Sequence, residues 1–151
     1  MLELAQRSDR EAVNALALQV HEMHVGWRPD IYEMAEELYP EARFRAAVEE
    51  RQLYVAKLGQ TVVGYVLLPV RNLELPGLVK RKVMLVNEFC VRSEFRRQGI
   101  GQQMMMEVKA LAKAFGCTDL QLSVYPENEG AVAFYQKAGL MIQNINMQMK
   151  L

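Results

Sequence analysis

The stretch Arg96-Arg97-Gln98-Gly99-Ile100-Gly101 decides how this chain is interpreted. It stands between a segment with a strand pattern, residues 82–91, and a segment with a helical pattern, residues 101–115. A glycine-rich turn that enters a helix leaves several backbone N–H groups without partners at the positive end of the helix dipole. Such a turn suits an anion such as a pyrophosphate, and Arg96 and Arg97 can add charge-assisted hydrogen bonds.

The glycine pattern by itself leaves the interpretation open. It is neither the dinucleotide fingerprint Gly-x-Gly-x-x-Gly nor a P-loop, because no Gly-Lys-Ser/Thr follows. An ordinary strand-to-helix turn with surface arginines would contain the same residues. The rest of the chain therefore has to decide between these alternatives.

The residues before this turn predict a strand, two helices and a hairpin. Residues 2–6 form a short strand pattern, and Ser8-Asp9-Arg10-Glu11 matches the capping box that begins a helix, here to about Val25. A second helix is predicted over 41–50. Residues 52–58 and 61–70 read as a hairpin around Gly59-Gln60, and residues 72–80 as a loop.

The residues around and after the turn predict alternating strands and helices. Residues 82–91 are apolar on both faces, which is typical of a central strand covered on both sides. A helix over 101–115, a strand over 119–124, a helix over 128–137 and an extended segment over 140–150 follow. This order predicts an α/β fold, a mixed sheet with helices on both faces.

Composition excludes several classes of protein. The chain has 151 residues, fits one domain over 1–151, and balances 18 basic with 18 acidic residues. A zero net charge argues against nucleic acid as a partner. The longest apolar run, 62–70, is too short to span a bilayer, and no signal peptide is evident. Two cysteines form neither a disulfide framework nor a metal cluster, so we expect a cytoplasmic domain without metal or membrane.

Two spaced motifs resemble one known family. Arg96-x-x-Gly99-x-Gly101 fits the Arg/Gln-x-x-Gly-x-Gly/Ala signature of the Gcn5-related N-acetyltransferases (GNAT). It follows the strand Asn87-Glu88-Phe89-Cys90-Val91 and the connector Arg92-Ser93-Glu94-Phe95. Asn128-Glu129-Gly130-Ala131-Val132-Ala133-Phe134-Tyr135-Gln136-Lys137-Ala138-Gly139-Leu140 looks like the second signature, with Leu140 in place of the usual aromatic. The order of elements covers the whole chain, although residues 8–50 resemble the family only in layout.

The resemblance implies a mostly antiparallel sheet whose central parallel strands splay apart to hold acetyl-coenzyme A (acetyl-CoA). It implies that Phe89, Cys90 and Val91 offer backbone groups to the pantetheine arm and thioester, and that Asn128 contacts the pantetheine or adenosine part. The pyrophosphate would be bound, mainly by main-chain amides, by Arg96, Arg97, Gln98, Gly99, Ile100, Gly101 and Gln102.

The resemblance also implies the catalytic residues. Tyr135 would protonate the departing thiolate as general acid, and the amine would attack directly in a ternary complex without a metal. Glu88, on the central strand, is the candidate general base, directly or through water; alternatively it binds a substrate cation or pairs with a nearby basic residue. Cys90 has no histidine nearby in sequence, so it reads as a small buried strand residue and not as a nucleophile.

The first helix and the loop after it supply candidates for the acceptor side. His21 and His24 would accept a proton or contact the acceptor, or they are structural. A polar-aromatic loop would line the acceptor pocket, with ordinary loop packing as the alternative. Its residues are Trp27, Arg28, Asp30 and Tyr32.

These expectations define an acetyl-CoA-dependent N-acetyltransferase that acts on a primary amine. The acidic residues Asp30, Glu33, Glu36 and Glu37 favour a small cationic amine as acceptor. One alternative is the N-terminus of a protein, for example a ribosomal protein. Another is a coenzyme A-binding module without turnover, against which the presence of both Glu88 and Tyr135 argues. The resemblance also allows a homodimer.

Overall fold

The computed structural model describes residues 1–151 and contains seven strands and four α-helices. The strands are β1 (Leu2–Leu4), β2 (Leu53–Leu58), β3 (Thr61–Leu67), β4 (Val70–Leu73), β5 (Arg81–Leu85), β6 (Glu88–Val91) and β7 (Asp119–Gln121). The helices are α1 (Arg10–Trp27), α2 (Glu41–Glu49), α3 (Ile100–Ala114) and α4 (Glu129–Lys137).

The strands form two sheets. One has the order β1-β2-β3-β6 and is antiparallel throughout; the other has the order β4-β5-β7, in which β5 and β7 are parallel. Apolar side chains of α1 and α2 pack on one face of the first sheet, and those of α3 pack on the other. The predicted α/β fold with a mixed, mostly antiparallel sheet and helices on both faces is confirmed.

Two predicted strands are each divided between the sheets. The prediction of one strand over 82–91 is wrong, because the chain changes partner between neighbouring residues: Val86 N–H donates to Gln121 O at 2.8 Å, whereas Asn87 N–H donates to Leu67 O at 3.0 Å. The predicted strand over 61–70 likewise breaks before Pro69, which has no N–H to donate. These breaks are where the two sheets diverge.

The predicted capping box at Ser8 and Glu11 is also wrong. A single 3₁₀ turn, Arg7–Asp9, precedes α1, and the carboxylate of Asp9 accepts the Gln6 N–H at 2.8 Å. Asp9 is buried and its other oxygen lies 3.0 Å from Lys57 Nζ. The ion pair with Lys57 compensates the cost of burying the Asp9 charge. Glu11, on the first turn of α1, is exposed to solvent and needs no such partner.

The end of the chain differs most from its prediction. Strand β7 covers three of the six predicted residues, and the predicted extended segment joins no sheet. No backbone hydrogen bond involves residues 141–151, here named the C-terminal segment. No helix of the protein has the length and apolar character needed to cross a membrane.

Candidate active site

A gap opens where the two sheets diverge. Arg92 N–H donates to Val63 O at 2.8 Å, and in an antiparallel ladder such bonds recur at every second residue. The backbone groups of Glu88 and Cys90 therefore face β3, whereas those of Phe89 and Val91 face away from it. Residues 122–124, which follow β7, make no backbone hydrogen bond. They are therefore not joined to the side of β6 on which the backbone groups of Phe89 and Val91 lie.

This ladder corrects one expectation. Of the three residues predicted to offer backbone groups to a cofactor, Phe89 and Val91 have the required orientation. The N–H and C=O of Cys90 lie opposite Tyr65 in the ladder and belong to the sheet. Because side chains alternate along the strand, the Cys90 side chain lies among the residues that α1 covers. The side chains of Phe89 and Val91 lie on the opposite face, which α3 covers.

The glycine turn, residues 96–102, presents a row of backbone N–H groups. None of the six amides from residue 97 to residue 102 donates to another backbone group, and the first bond of α3 runs from Gln103 N–H to Gly99 O at 3.0 Å. Arg97 and Gly99 have φ values of +61° and +82°, in the left-handed region that glycine tolerates and arginine rarely adopts. A strained turn with unpaired donors is suited to bind an anion.

The side chains of the turn hold it in place beside the gap. Arg96 Nε donates to Val91 O at 3.0 Å, and Gln98 Nε2 donates to Glu94 O at 3.0 Å. Gly101 lies next to α4: a Cβ atom there would be 3.5 Å from the Phe134 ring, an ordinary van der Waals contact.

Tyr135 lies on α4 beside the gap. Its ring meets Phe89 edge-on at 6.2 Å between centroids, and Phe134 at 5.3 Å. Burial, with a smaller contribution from Cys90, raises the pKa of the Tyr135 hydroxyl to about 12. The hydroxyl is therefore protonated at neutral pH and able to donate a proton.

Asn128 begins α4. Its Oδ1 accepts the Ala131 N–H at 3.3 Å, a typical N-cap bond. The bond leaves the Nδ2 amide group as the part of Asn128 that can contact a ligand. The predicted cofactor role is thus compatible with a structural one.

Glu88 is held by three donors. Its Oε2 accepts from the hydroxyls of Tyr39 at 2.8 Å and Tyr65 at 2.6 Å, and its Oε1 accepts from Arg43 at 2.7 Å. Burial and the Glu88 charge raise the pKa of both tyrosines, so both remain donors. The contact with Arg43 corresponds to the alternative in which Glu88 pairs with a nearby basic residue.

The three partners of Glu88 were missed by the sequence reasoning. Tyr65 lies within an apolar strand and the other two belong to the α2 region, far away in sequence. The one available signal is Glu88 itself, because a carboxylate on a covered strand requires donors nearby.

The predicted acceptor loop forms an aromatic cluster at the end of α1. The His24 ring stacks on Tyr32 at 5.1 Å and meets Trp27 and Tyr125 at 5.7 Å. Burial, and then the nearby His21, lower the pKa of His24. The hydroxyls of Tyr32 and Tyr125 lie 3.0 Å apart, a bond that raises the pKa of Tyr32 to about 12. Tyr125, which follows β7, was not predicted.

Arg28 and Asp30 bind each other. The guanidinium donates two bonds to the carboxylate, at 2.9 and 2.8 Å, and these hold the pKa of Asp30 well below its usual range. Glu37 is paired with Arg10 at 2.8 Å. These two acidic residues, on which the expectation of a cationic acceptor partly rested, therefore already have cationic partners.

A cleft of about 360 Å³ lies at the root of the gap. Its walls are formed by the ends of β4, β5 and β7 and by the start of the C-terminal segment. The lining residues are Arg71, Leu85, Val86, Asn87, Gln121, Leu122, Ser123 and Gln143. Apart from Arg71 the polar groups are neutral, so none of the acidic residues of the 30–37 loop lines this cleft.

The protein contains no cluster of three His, Cys, Asp or Glu side chains that could hold a metal ion. Cys90 is buried, and burial raises the pKa of its thiol to about 12. A thiol that remains protonated is a poor nucleophile. Its interpretation as a small buried strand residue is confirmed.

Comparisons with known proteins identify the family of this chain. Residues 17–140 match the model of the acetyltransferase (GNAT) family. An uncharacterized N-acetyltransferase of Methanocaldococcus jannaschii is 31% identical over 94 residues, which cover 60% of this chain and 39% of the relative. The uncharacterized N-acetyltransferase YdgE of Bacillus subtilis is 32% identical over 71 residues, which cover 47% of this chain and 45% of YdgE. The matched regions thus span less than half of these relatives.

Solved structures of the same fold cover the whole chain. A mutant of the BH1408 protein of Bacillus halodurans superimposes with a TM-score of 0.94 at 30% identity, covering 100% of this chain and 99% of that one. The aminoglycoside N-acetyltransferase AAC(6')-Iy, in complex with a bisubstrate analogue of CoA and acetylneamine, has a TM-score of 0.75 at 16% identity, covering 100% and 97%. At that identity the likeness concerns the fold.

Proposed function

Because the chain belongs to the acetyltransferase (GNAT) family, we propose that it transfers an acetyl group from acetyl-CoA to a primary amine. The observation that carries the proposal is the row of six unpaired backbone N–H groups over residues 97–102. They lie at the N-terminus of α3, where the helix dipole favours negative charge. The pyrophosphate of acetyl-CoA supplies an anion that fits these donors.

The gap beside the turn fits the pantetheine arm. Phe89 and Val91 present backbone groups along one side, in the manner of a sheet edge that accepts an extended ligand. Arg96 is already bonded to Val91 O, so it links the phosphate end of the proposed site to the pantetheine end. The Nδ2 group of Asn128 is the additional donor expected on the α4 side.

Within this site we assign Tyr135 the role of general acid. Acetyl-CoA supplies a thioester carbonyl that a deprotonated amine attacks without a metal. The Tyr135 hydroxyl, whose pKa is raised to about 12, then donates a proton to the departing sulfur. Direct attack in a ternary complex is favoured because the protonated Cys90 is unsuited to carry the acetyl group.

Glu88 is proposed as the base that accepts the amine proton through a water molecule. Direct contact with the amine is hindered by the three donors that occupy its oxygens. The competing role is electrostatic, in which the Glu88 charge orients Tyr39, Tyr65 and Arg43 around the acceptor. The two roles differ in their dependence on pH.

The acceptor is proposed to be a small amine. The cleft of about 360 Å³ falls at the lower end of the range of small-molecule sites. The fold is shared with AAC(6')-Iy, whose bisubstrate complex carries an acetylneamine group, so the same scaffold accepts a small amine in that protein. The neutral polar lining with Arg71 favours an acceptor that carries hydroxyl, amide or carboxylate groups besides its amine.

The direct test measures release of free thiol from acetyl-CoA in the presence of small amines and, separately, of short peptides with free N-termini. We expect turnover with amines that carry hydroxyl or carboxylate groups and little with peptides. Turnover confined to peptides would establish protein N-termini as the acceptors. Acetyl-CoA binding without thiol release from any acceptor would contradict the proposal in favour of a CoA-binding module.

A further inference from the structure

The ion pair of Glu88 and Arg43 lies beside the gap and within reach of solvent. Glu88 begins β6, the strand that borders the gap, and Arg43 lies on α2. Arg43 Nη2 is 2.7 Å from Glu88 Oε1, and the side chains of Arg43 and Glu88 are 44% and 26% exposed, respectively. An exposed ion pair contributes little to stability, so a charged ligand can open it at small cost.

The two carboxylate oxygens of Glu88 differ in accessibility. Oε2 accepts hydrogen bonds from the hydroxyls of Tyr39 and Tyr65, whose side chains are buried. Oε1 accepts from Arg43, the more exposed of the three partners. A ligand that approaches Glu88 from solvent therefore meets Oε1, and it has to take the place of the guanidinium there.

Arg43 remains beside Glu88 when the pair opens. Its Nη1 donates to Leu38 O, and its guanidinium lies 4.1 Å from the centroid of the Tyr39 ring. Residues 38 and 39 are themselves fixed to α1, because Asn14 Oδ1 accepts both of their N–H groups at 2.9 Å. Opening the pair thus leaves a carboxylate and a guanidinium close together, each without its partner.

We propose that the Glu88–Arg43 pair recognises an acceptor that carries a carboxylate next to its amine, that is, an amino acid. The amine, with the water that links it to Glu88, takes the place of Arg43 at Oε1, and the carboxylate accepts from the guanidinium. A purely cationic ligand would leave Arg43 unpaired, and a purely anionic one would leave Glu88 unpaired. An amino acid satisfies both groups, and the planar guanidinium matches a carboxylate. This inference rests on the proposed function and names its acceptor class.

Matched acceptors test the recognition. Release of free thiol from acetyl-CoA is measured with a panel of amino acids and with the amide of each. Values of kcat/KM are compared per concentration of unprotonated amine, because an amino acid and its amide differ in the pKa of the amine. The parent should prefer the amino acids by at least about 10-fold, the contribution of one hydrogen bond between charged groups.

Variants on α2 assign the preference to one side chain. Arg43→Gln should abolish it by lowering kcat/KM for the amino acids and not for the amides, whereas Arg43→Lys, which retains the charge, should keep part of it. Arg45→Gln removes another exposed cation of α2, which is paired with Glu49, and should keep the preference of the parent. Circular dichroism verifies that each variant is folded.

Binding is measured separately from turnover, as the Tm shift caused by each acceptor in the presence of CoA, which has no acetyl group to transfer. Amino acids should raise the Tm of the parent and of Arg45→Gln more than their amides do, and this difference should vanish in Arg43→Gln.

The possible failures of the inference and of the proposed function are distinct. Turnover with equal kcat/KM for amino acids and amides, or a preference that persists in Arg43→Gln, would overturn the inference and leave acetyl transfer in place. Equal Tm shifts for amino acids and amides would overturn it as well. Binding of amino acids that depends on Arg43, without thiol release from any acceptor, would support the recognition and contradict the proposed function.

Discussion

The two ends of this chain are packed to very different degrees. All 28 buried residues lie between Ala5 and Ala112, whereas residues 113–151, a quarter of the chain, contain none. The first region closes around α1, α2 and α3, with both faces of the first sheet covered. The second region has the signature helix α4 and β7 but leaves its last eleven residues unpaired. The comparison indicates that the first region contains the fully buried core and that the second packs against it only with partly buried side chains.

The proposed site lies on the boundary between these regions. Glu88 and the glycine turn belong to the packed region, and Asn128 and Tyr135 to the open one. The gap exists because β6 is bonded to the first sheet and β7 to the second. A cosubstrate bound at the proposed site would contact both regions.

The largest expected effect separates the two regions by stability. Leu53→Ala, in the packed region, should lower the free energy of unfolding by about 2–5 kcal/mol, because it leaves a cavity at a fully buried position. Met149→Ala should change it by less than about 0.5 kcal/mol in a monomeric sample, because the side chain is exposed. Urea denaturation at low protein concentration measures both. Equal losses would contradict the difference in packing.

The next effect tests the open region for catalysis. Tyr135→Phe should reduce kcat about 10²-fold, the lower end of acid catalysis, with little change in affinity for acetyl-CoA because the ring remains. Since burial raises the pKa of Tyr135 to about 12, the parent should show no loss of rate from its ionisation between pH 7 and 10. A rate equal to that of the parent, with chemistry shown to be rate-limiting, would make Tyr135 a packing residue.

Glu88→Gln tests the packed side of the site and should have a smaller effect on kcat, less than the ~10²-fold at the lower end of general acid–base catalysis. If Glu88 is the base, the loss is greatest at low pH and diminishes at high pH, where free amine is abundant. An equal loss at every pH would assign Glu88 the orienting role. Tyr39→Phe, which removes one donor and retains the charge, is the matched control.

The smallest effect concerns the aromatic cluster. The folded-state pKa of His24 is lowered, so the unfolded chain binds more protons between that pKa and about 6.5. The contribution of His24 to stability is therefore present above pH 6.5 and decreases as pH falls below it. Measuring the Tm of the parent and of His24→Gln at pH 5.5 and 7.5 checks the sign. The Tm of the parent should fall slightly more on acidification than the Tm of the variant. A parent that gains stability on acidification relative to the variant would contradict it.

The sequence predicted the packed region better than the open one, for physical reasons. The helical periodicity of α1, α2 and α3 reflects faces that are buried within this chain. The predicted helices therefore coincide with the observed ones. The extended segment predicted over residues 140–150 joins no sheet, because alternation of apolar and polar residues does not by itself supply a strand to pair with. The break at Val86 and Asn87 was missed because both halves of that strand are apolar, and only the change of hydrogen-bond partner separates them.

The same contrast holds within the site. The glycine turn was predicted because its donors come from consecutive residues. The partners of Glu88 were not, since Tyr39 and Arg43 are brought to it by the packing of α2 on the sheet. Cys90 was misassigned because motif spacing does not reveal which backbone groups are already used in a ladder.

The central claim is that the amides of residues 97–102 bind the pyrophosphate, and a matched pair of variants at Gly99 tests it most directly. Asn and Asp both tolerate the positive φ of this position and have nearly the same shape, so the two variants differ chiefly in charge. Calorimetric titration with CoA should give Gly99→Asp an affinity at least about 10-fold weaker than Gly99→Asn, because a carboxylate among the amides repels the phosphates. Equal affinities for the two variants would contradict the claim and remove the turn from the binding site.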